Sequence, residues 1–437
     1  MNIVLLSGGS GKRLWPLSNE VRSKQFLKMF KSDLGTYESM LQRMYRGIRK
    51  AEADASITVA TSKKQVPSII NQIGSEVQIS IEPERRDTFP AVFLAMAYMH
   101  DVLKMSEDET VVVCPVDTYA GEDYFKMLRK VSDQAEKSEA NIVLLGINPT
   151  YPSDKYGYII PQTADAVSGV DFFKEKPTRD EAAGYIEKGA LWNAGVYAFR
   201  IGYILKKAHE LINFTDYYDL YNKFSRLAVD NFSHAIVEDE QSLQVLRFNG
   251  KWEDVGTWNT LTDVVEDRVI GKGTIGEECE NLNIVNELGI PVLAMGIHDA
   301  IIAASPDGIL VSDKNLSRKI KPYIENIDSP VMFAEKTWGD FRILDSGHDS
   351  LTAKVTMKAG ESMNYHSHKN RDEVWVITSG RGTAVVDGME QQVNAGDVIT
   401  MQAGCRHIVK ADTDLELIEV QLGKDISADD KLRYTLE

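Results

Sequence analysis

A short apolar run, Ile3-Val4-Leu5-Leu6, ends directly in Ser7-Gly8-Gly9-Ser10-Gly11-Lys12-Arg13-Leu14. Clustered glycines let backbone amides converge on an anion without Cβ obstruction, and Lys12 and Arg13 add positive charge. The loop departs from two familiar phosphate binders. A P-loop needs Gly-Lys followed by Ser or Thr, but Arg13 follows Lys12, and a dinucleotide fingerprint needs glycine where Leu14 stands. On the loop alone, a plain glycine turn between strand and helix stays open. Asp117 follows the apolar run Thr110–Cys114, where a carboxylate at the top of a sheet would meet a ligand. An ordinary turn or cap aspartate is the alternative. Far along the chain, His366-Ser367-His368 is followed by Glu373 and, after Gly396 and Gly404, by His407. Imidazoles with a carboxylate suit Zn²⁺, Fe²⁺, Mn²⁺, Ni²⁺ or Co²⁺.

These residues need elements to hold them. Ile3–Leu6, Ile57–Thr61, Val77–Ile81, Thr110–Cys114 and Ile142–Gly146 read as buried strands. Between them, Tyr37, Met40, Leu41, Met44 and Ile48 mark one helical face. Pro90 opens a second apolar helix running to about Lys104, with Thr88 as its cap. Alternating strands and helices predict a parallel sheet with helices on both faces over 1–265, an α/β, Rossmann-like domain. Near Asp263 the texture changes. Asn283–Val285, Val292–Met295, Ala300–Ala304 and Ile309–Val311 are β-type runs separated by Gly, Asn or Asp, predicting a small all-β module over 266–328. After Asp328-Ser329-Pro330, runs such as Glu373–Thr378, Gly382–Val386 and Glu416–Gln421 alternate with glycine turns. They predict an antiparallel barrel or jelly roll over 329–437.

The chain has 437 residues, 49 basic and 65 acidic, for a formal charge of −16. That balance argues against a nucleic-acid partner, because phosphate backbones need basic faces. It is compatible with binding one nucleotide. Hydrophobic residues at 43% supply sizeable cores and exclude disordered, collagen-like and coiled-coil classes. Cys114, Cys279 and Cys405 lie far apart, so a disulfide framework is not expected and a reducing cytoplasm fits. The N-terminal apolar run is too short for a signal-peptide core and has no basic leader. No stretch approaches the roughly 20 apolar residues of a membrane span.

The glycine loop continues as Leu14-Trp15-Pro16-Leu17-Ser18, then Ser23-Lys24-Gln25-Phe26-Leu27. Here the chain resembles the mannose-1-phosphate guanylyltransferases, whose signature runs GGxGxRLWPLS and then PKQFL, with Ser23 replacing proline. The resemblance implies that Leu6, Gly8, Gly9 and Gly11 wrap a nucleoside triphosphate, and that Arg13 and Lys24 neutralise its phosphates. Glu82-Pro83-Glu84-Arg85-Arg86-Asp87-Thr88 resembles the segment near the guanine base. Arg86 and Asp87 would stand beside the nucleotide. The Asp87 carboxylate could accept from guanine N1–H and N2–H₂, and equally reads as a helix cap. Val113-Cys114-Pro115-Val116-Asp117 and Trp252-Glu253-Asp254-Val255-Gly256-Thr257-Trp258 resemble the family's LPSDH and WxDVGSW. They imply that Asp117 and Asp254 share one Mg²⁺, a hard cation preferring oxygen ligands.

The sugar side resembles the family as well. Tyr156-Gly157-Tyr158-Ile159 matches its YGYI, and Phe173-Lys174-Glu175-Lys176-Pro177 matches FxEKP. Trp192-Asn193-Ala194-Gly195 resembles WNSG. The resemblance implies a sugar-phosphate site at Gly157, Glu175, Lys176 and Asn193, with Lys176 on the phosphate. Ser233 and His234 replace the family's aspartate and tyrosine, which bears on the sugar more than on the reaction.

The distal histidines resemble both cupin motifs and so imply that His366, His368, Glu373 and His407 hold one Zn²⁺ or other divalent transition metal. Such tails occur in type II, bifunctional members of the family, where they isomerise mannose 6-phosphate and fructose 6-phosphate. The endings Ile418-Glu419-Val420-Gln421 and Asp429-Asp430-Lys431-Leu432-Arg433 resemble those tails. Here, however, His366 replaces a glutamine, and Lys369, Asn370 and Val374 replace three histidines, so weak or absent isomerisation is expected. The resemblance as a whole implies a cytoplasmic homodimeric enzyme. It would make GDP-mannose and pyrophosphate from GTP and mannose 1-phosphate, with a left-handed β-helix-like module at 266–328. Three alternatives stand beside it: another base or sugar, a sugar-phosphate isomerase on a scaffold, and a nucleotide-sugar sensor. Intact Arg13, Lys24, Asp117 and Asp254 weigh against the sensor.

Overall fold

The computed structural model describes every residue except 10, 20, 326, 328–330, 425, 428, 429, 436 and 437. Ser10 of the glycine loop, the Asp328-Ser329-Pro330 linker and Asp429 therefore lie outside the described residues. The chain divides into two compact units, Met1–Leu14 with Ser23–Glu266, and Trp15–Arg22 with Asp267–Glu437.

In the first unit, nine strands form one sheet. In chain order they are β1 (Asn2–Leu6), β2 (Ser56–Ser62), β3 (Gln78–Glu82), β4 (Thr110–Pro115), β5 (Ile142–Ile147), β6 (Tyr158–Pro161), β7 (Val167–Lys174), β8 (Leu191–Arg200) and β9 (Leu243–Phe248). Their spatial order is β3-β2-β1-β4-β8-β5-β9-β7-β6. Alternation sends Val4 into the core on one face and Ile3 and Leu5 into the core on the other. Thr88–Ala97 and Ile201–Leu211 pack on the first face, Met40–Ala51 and Glu122–Lys137 on the second.

The expected all-parallel sheet is corrected. β3, β2, β1 and β4 are parallel, but β8 runs antiparallel to both β4 and β5. β7 is antiparallel to β9 and β6. Strand direction depends on long-range pairing that an apolar run does not encode. Two local expectations also change. Tyr37 lies in a short strand before the helix, which starts at Met40 with Ser39 and Gln42 forming a capping box. The second helix, Thr88–Ala97, is capped by Asp87 and not by Thr88, and it runs on as a π-turn over Tyr98–Val102.

In the second unit, Val269–Gly271, Asn283–Asn286 and Ala300–Ser305 stack in parallel, and Gly308–Asp313 closes the ladder antiparallel. Gly273–Ile275 and Val292–Ala294 form a second parallel ladder. The stacked rungs enclose Leu282, Ile284, Ala294 and Ile302. Trp15–Arg22 packs within this unit. Arg22 makes a bidentate ion pair with Glu287, at 2.7 and 2.8 Å, and stacks over Phe333.

The rest of the unit is two antiparallel sheets, of six and five strands, packed around Trp375, Met357, Leu415 and Leu417. This is the expected jelly roll. Register across the larger sheet matters below. Ile343 pairs with Ala353, Ala353 with Glu419, and Glu419 with Trp375.

Candidate functional site

Two constellations of functional side chains form, one in each unit. The first surrounds the glycine loop. Gly11 sits at φ +63°, and a Cβ there would lie 2.6 Å from the Lys24 backbone nitrogen, so only glycine fits. The loop is held from behind. Ser23 Oγ donates to the Gly9 carbonyl at 2.7 Å and accepts from Gln65 Nε2 at 2.6 Å. Gln25 Nε2 donates to the Ser7 carbonyl at 3.0 Å, and Thr61 Oγ1 donates to Gln65 Oε1 at 2.8 Å. Ser23, seen in the sequence only as a departure from proline, is thus a clasp on the loop.

Asp117 follows β4, and Asp254 ends the strand Trp252–Asp254, which pairs antiparallel with Thr118–Ala120. Asp254 faces Thr118, so the two carboxylates share one corner. Lys24 Nζ contacts Asp117 Oδ2 at 2.6 Å and donates to the Val255 carbonyl at 3.1 Å. A Cβ on Gly256 would lie 3.7 Å from each of Arg13 Nη1, Lys24 Nζ and Asp254 Oδ1. Two cations and two carboxylates therefore gather around one small space. Burial works to raise the Asp117 pKa, but Lys24 and then Arg13 hold it below the usual carboxylate range. Burial raises the Asp254 pKa, Lys24 opposes the rise, and the Asp117 charge adds to it. Two repelling carboxylates with only oxygen donors fit a hard divalent cation that also takes phosphate oxygens.

The remaining expected residues fall into two groups. Gly157, Glu175 and Asn193 come together. A Cβ on Gly157 would meet Glu175 Oε2 at 2.7 Å, and Asn193 N donates to the Gly157 carbonyl at 2.8 Å. Lys176 Nζ pairs with Glu175 Oε1 at 3.0 Å. Asn193 Nδ2 donates to Tyr197 Oη at 2.9 Å and to Ser233 Oγ at 3.1 Å, while its Oδ1 accepts from Gly195 N. Arg86 is engaged elsewhere, with Glu84 Oε1 at 2.7 Å and the Leu227 carbonyl at 2.8 Å. Asp87 is exposed and accepts from Thr88 N at 2.7 Å.

The sequence reading missed Glu82. It ends β3, is 5% exposed, and its Oε1 would lie 3.2 Å from a Cβ on Gly8. Burial pushes its pKa up to about 7, against the opposing Arg85 charge. The available signal was an acid closing the strand run Gln78-Ile79-Ser80-Ile81.

The second constellation is in the jelly roll. His366, His368, Glu373 and His407 offer ligand atoms all within 4.8 Å of one another, and all four residues are buried. Pairing explains the convergence, since His366 lies opposite His407 across the smaller sheet. Nδ1 of His366 faces the Asn364 carbonyl at 2.6 Å, and Nδ1 of His407 faces the Cys405 carbonyl at 3.0 Å. A nitrogen beside a carbonyl carries the proton, which leaves each Nε2 lone pair pointing inward, as a metal ligand needs. His368 Nδ1 is buried without a hydrogen-bond partner, and His407 Nε2 and Glu373 Oε2 are buried with only each other, at 3.2 Å. Such orphaned atoms fit an ion. Burial holds His366 down to about 2 and His368 to about 4, so both imidazoles are neutral and ready to coordinate. Burial works to raise Glu373, but Arg371, whose Nε lies 3.1 Å from Glu373 Oε1, helps hold it below the usual carboxylate range.

Around this cluster the sequence reading also missed Glu419 and Lys431 as cavity residues. Burial and the Glu373 charge push Glu419 up to about 7, and burial lowers Lys431 to about 8. Both fall in segments that resemble the family's tails, but nothing in those segments points to a cavity. Register alone puts Lys431 opposite His368 and Glu419 beside Trp375.

Comparison with known proteins finds one family match in each half of the chain. Residues 2–269 match the nucleotidyl transferase family, and residues 353–421 match the cupin domain. A mannose-1-phosphate guanylyltransferase of Escherichia coli (strain K12) is 27% identical, over 99% of this chain and 97% of that protein. The xanthan biosynthesis protein XanB of Xanthomonas campestris pv. campestris (strain ATCC 33913) is 29% identical, over 99% and 97%. Among solved structures, a mannose-1-phosphate geranyltransferase from Thermus thermophilus superposes with a TM-score of 0.62. It is 26% identical, over 75% of this chain and 99% of that one. Among the described residues, no helix is long and apolar enough to cross a membrane.

Proposed function

This chain belongs to the nucleotidyl transferase family, and from that premise we propose that it transfers GMP from GTP to mannose 1-phosphate, releasing pyrophosphate. The observation that carries the reading is the meeting of Arg13, Lys24 and Asp254 around Gly256, with Asp117 paired to Lys24. The relatives named for this activity support the choice of substrates.

In this reading the glycine loop, with Leu6, Gly8, Gly9 and Gly11, cradles the triphosphate. Glu175, Asn193 and the Gly157 backbone hold the sugar, and Lys176 meets its phosphate. Arg86 and Asp87 stand on the base side. A phosphate oxygen of the sugar attacks the α-phosphorus in line, an O–P bond forms, and the bond to the bridging β-phosphate oxygen breaks. The attacking oxygen is already anionic, so no side chain has to remove a proton. The protein contributes position and charge neutralisation. Arg13 and Lys24 balance the negative charge on the α-phosphate and the departing pyrophosphate. Asp117 and Asp254 would hold Mg²⁺, which supplies Lewis-acid charge at the phosphates when bound. Lys24 would exchange its bond to Asp117 for phosphate oxygens as substrate arrives.

We assign the chain three functional parts: the transferase domain at 1–265, a left-handed β-helix-like module at 266–328, and the cupin at 329–437. His366, His368, Glu373 and His407 would hold Zn²⁺ or another divalent transition metal. A cytoplasmic homodimer completes the proposal. The deciding experiment measures pyrophosphate release with four NTPs crossed against several sugar 1-phosphates. GTP with mannose 1-phosphate should give the highest kcat/KM, and a different best pair would overturn the assignment.

A further inference from the structure

The metal cluster accounts for only part of the cupin interior. A cavity of about 480 Å³ adjoins it, within the usual size of a small-molecule site. His366, His368, Arg371, Glu419 and Lys431 line one side. Trp338, Phe341, Ile343, Val355 and Met363 line the other. The division follows from strand alternation and register. Ile343 pairs with Ala353 and Ala353 with Glu419, so one rung crosses from an apolar wall to a carboxyl. On the next inward-facing rung, Leu351 pairs with Gln421 and Gln421 with Glu373, repeating the change. Arg371 and Glu419 lie on the strands Arg371–Ser379 and Leu415–Gly423, His366, His368 and Lys431 on the short strands His366–His368 and Lys431–Arg433, and Phe341, Ile343 and Val355 on Gly339–Ser346 and Ser350–Met357.

From this division we infer that the cupin cavity binds a monocarboxylate with an apolar body, its head beside Lys431 and the metal cluster and its chain along the apolar wall. Charge calls for an anion. Arg371 and Lys431 act on Glu373 and Glu419, Lys336 lies near Lys431, and a divalent ion would leave the cavity clearly positive. Arg371 is largely committed, through Nε to Glu373 Oε1 and Nη1 to the Ser427 carbonyl, so Lys431 is the cation left to meet a head group. A carboxylate head brings one negative charge toward Glu419, where a phosphate dianion would bring two. The wall decides the body. Lys336 Nζ lies 5.2 Å from the Phe341 ring centroid, its charge already facing an aromatic surface. A sugar phosphate would turn hydroxyls toward Phe341, Ile343 and Val355, whose side chains offer them no partner. A hydrocarbon chain would bury there without that cost.

Calorimetric titration of the full-length, cobalt-loaded protein with octanoate, acetate and mannose 6-phosphate tests this. Octanoate should bind at least tenfold tighter than acetate, and mannose 6-phosphate more weakly than octanoate. Lys431→Met should weaken octanoate at least fivefold while leaving the cobalt absorption spectrum of the unliganded protein unchanged. Phe341→Ser should bring octanoate toward acetate and leave acetate unaffected. Phe341 is partly exposed, which makes that variant tolerable to the fold. Equal binding of octanoate and acetate would overturn the inference. So would tighter binding of mannose 6-phosphate, octanoate affinity unchanged in both variants, or no binding of any probe at millimolar concentration.

Discussion

The two constellations solve the problem of charge in opposite ways. Around Gly256, Arg13 and Lys24 match Asp117 and Asp254 one for one, so the corner is neutral before any ligand arrives. The Asp117 side chain is 33% exposed. In the cupin, His368, Glu373 and His407 are 2–3% exposed, His368 Nδ1 has no hydrogen-bond partner, and His407 Nε2 and Glu373 Oε2 meet only each other. A solvated, self-compensated corner can admit and release a cation with its substrate. A dry cluster with orphaned atoms is stable only when something occupies it. The difference points to a transient ion in the first unit and a resident one in the second.

The largest expected effect breaks the transferase side alone. Asp117→Asn and Asp254→Asn should each lower pyrophosphate release by up to about 10³-fold, the scale seen when one preorganised transition-state contact is lost. Melting temperature should change little, because both side chains are only half-buried and Asn is close to Asp in shape. Metal content of the cupin, measured by atomic emission, should stay at its wild-type value. Near-normal rates at saturating Mg²⁺ would remove these residues from the mechanism.

Glu82 offers the next effect, on stability and with a definite sign. A rise from the usual 4.5 to about 7 means that the folded protein holds this proton more tightly than the unfolded chain. The contribution is fully present below pH 4.5 and is lost as pH rises through 7. The cost of ionising Glu82 in the fold is at most about 3 kcal/mol. Glu82→Gln should therefore melt higher than wild type at pH 8 and the same at pH 4. A gain that does not depend on pH would assign the effect to packing. If Glu82 also serves the loop beside Gly8, the stabilised variant should lose turnover.

Removing the cupin metal tests the resident side. A ligand held at a hundredfold excess over its Kd stabilises by about 2.7 kcal/mol. Chelation, or His368→Ala, should lower the melting transition of the second unit accordingly. Pyrophosphate release should return once Mg²⁺ is restored. A coupled assay should find weak or no interconversion of mannose 6-phosphate and fructose 6-phosphate. Robust isomerisation that disappears in His368→Ala would contradict both this expectation and the apolar character assigned to the cavity.

What the sequence disclosed follows from the range of the interactions. The glycine loop, the aspartate after Thr110–Cys114 and the His-x-His spacing are local patterns, each readable without knowing what it meets. β1 to β5 were legible within a residue or two because each is a short run rich in apolar and β-branched residues, as in Ile57-Thr58-Val59-Ala60. The antiparallel insertion of β8 between β4 and β5 was not, since Leu191–Arg200 reads the same in either direction. The Ser23 clasp was hidden because its partners, the Gly9 carbonyl and Gln65, are 14 and 42 residues away. Glu419 and Lys431 were hidden for the same reason. Their place in the cavity is a fact of register, which pattern alone does not fix.

The smallest effect concerns Asp87, whose two roles the sequence left balanced. The structure gives it φ 66° and ψ −172°, a conformation that side chains other than glycine rarely occupy. Its carboxylate accepts from Thr88 N, and its exposed position imposes no packing constraint. Asp87→Asn keeps an oxygen for the cap, so it should cost well under about 1 kcal/mol of stability. Asp87→Gly relieves the backbone and removes the cap, two changes of opposite sign that should nearly cancel. Activity separates the roles. A capping aspartate predicts that Asp87→Asn leaves the GTP-to-ATP preference within about threefold, because the carboxylate is already directed at the helix end. A base-reading aspartate predicts a loss of about tenfold or more for GTP alone, the scale of a hydrogen bond to a charged group. The bond to Thr88 N favours the first outcome. A tenfold loss would show that the strained backbone is maintained for the nucleotide, and that the carboxylate leaves the helix end when GTP binds.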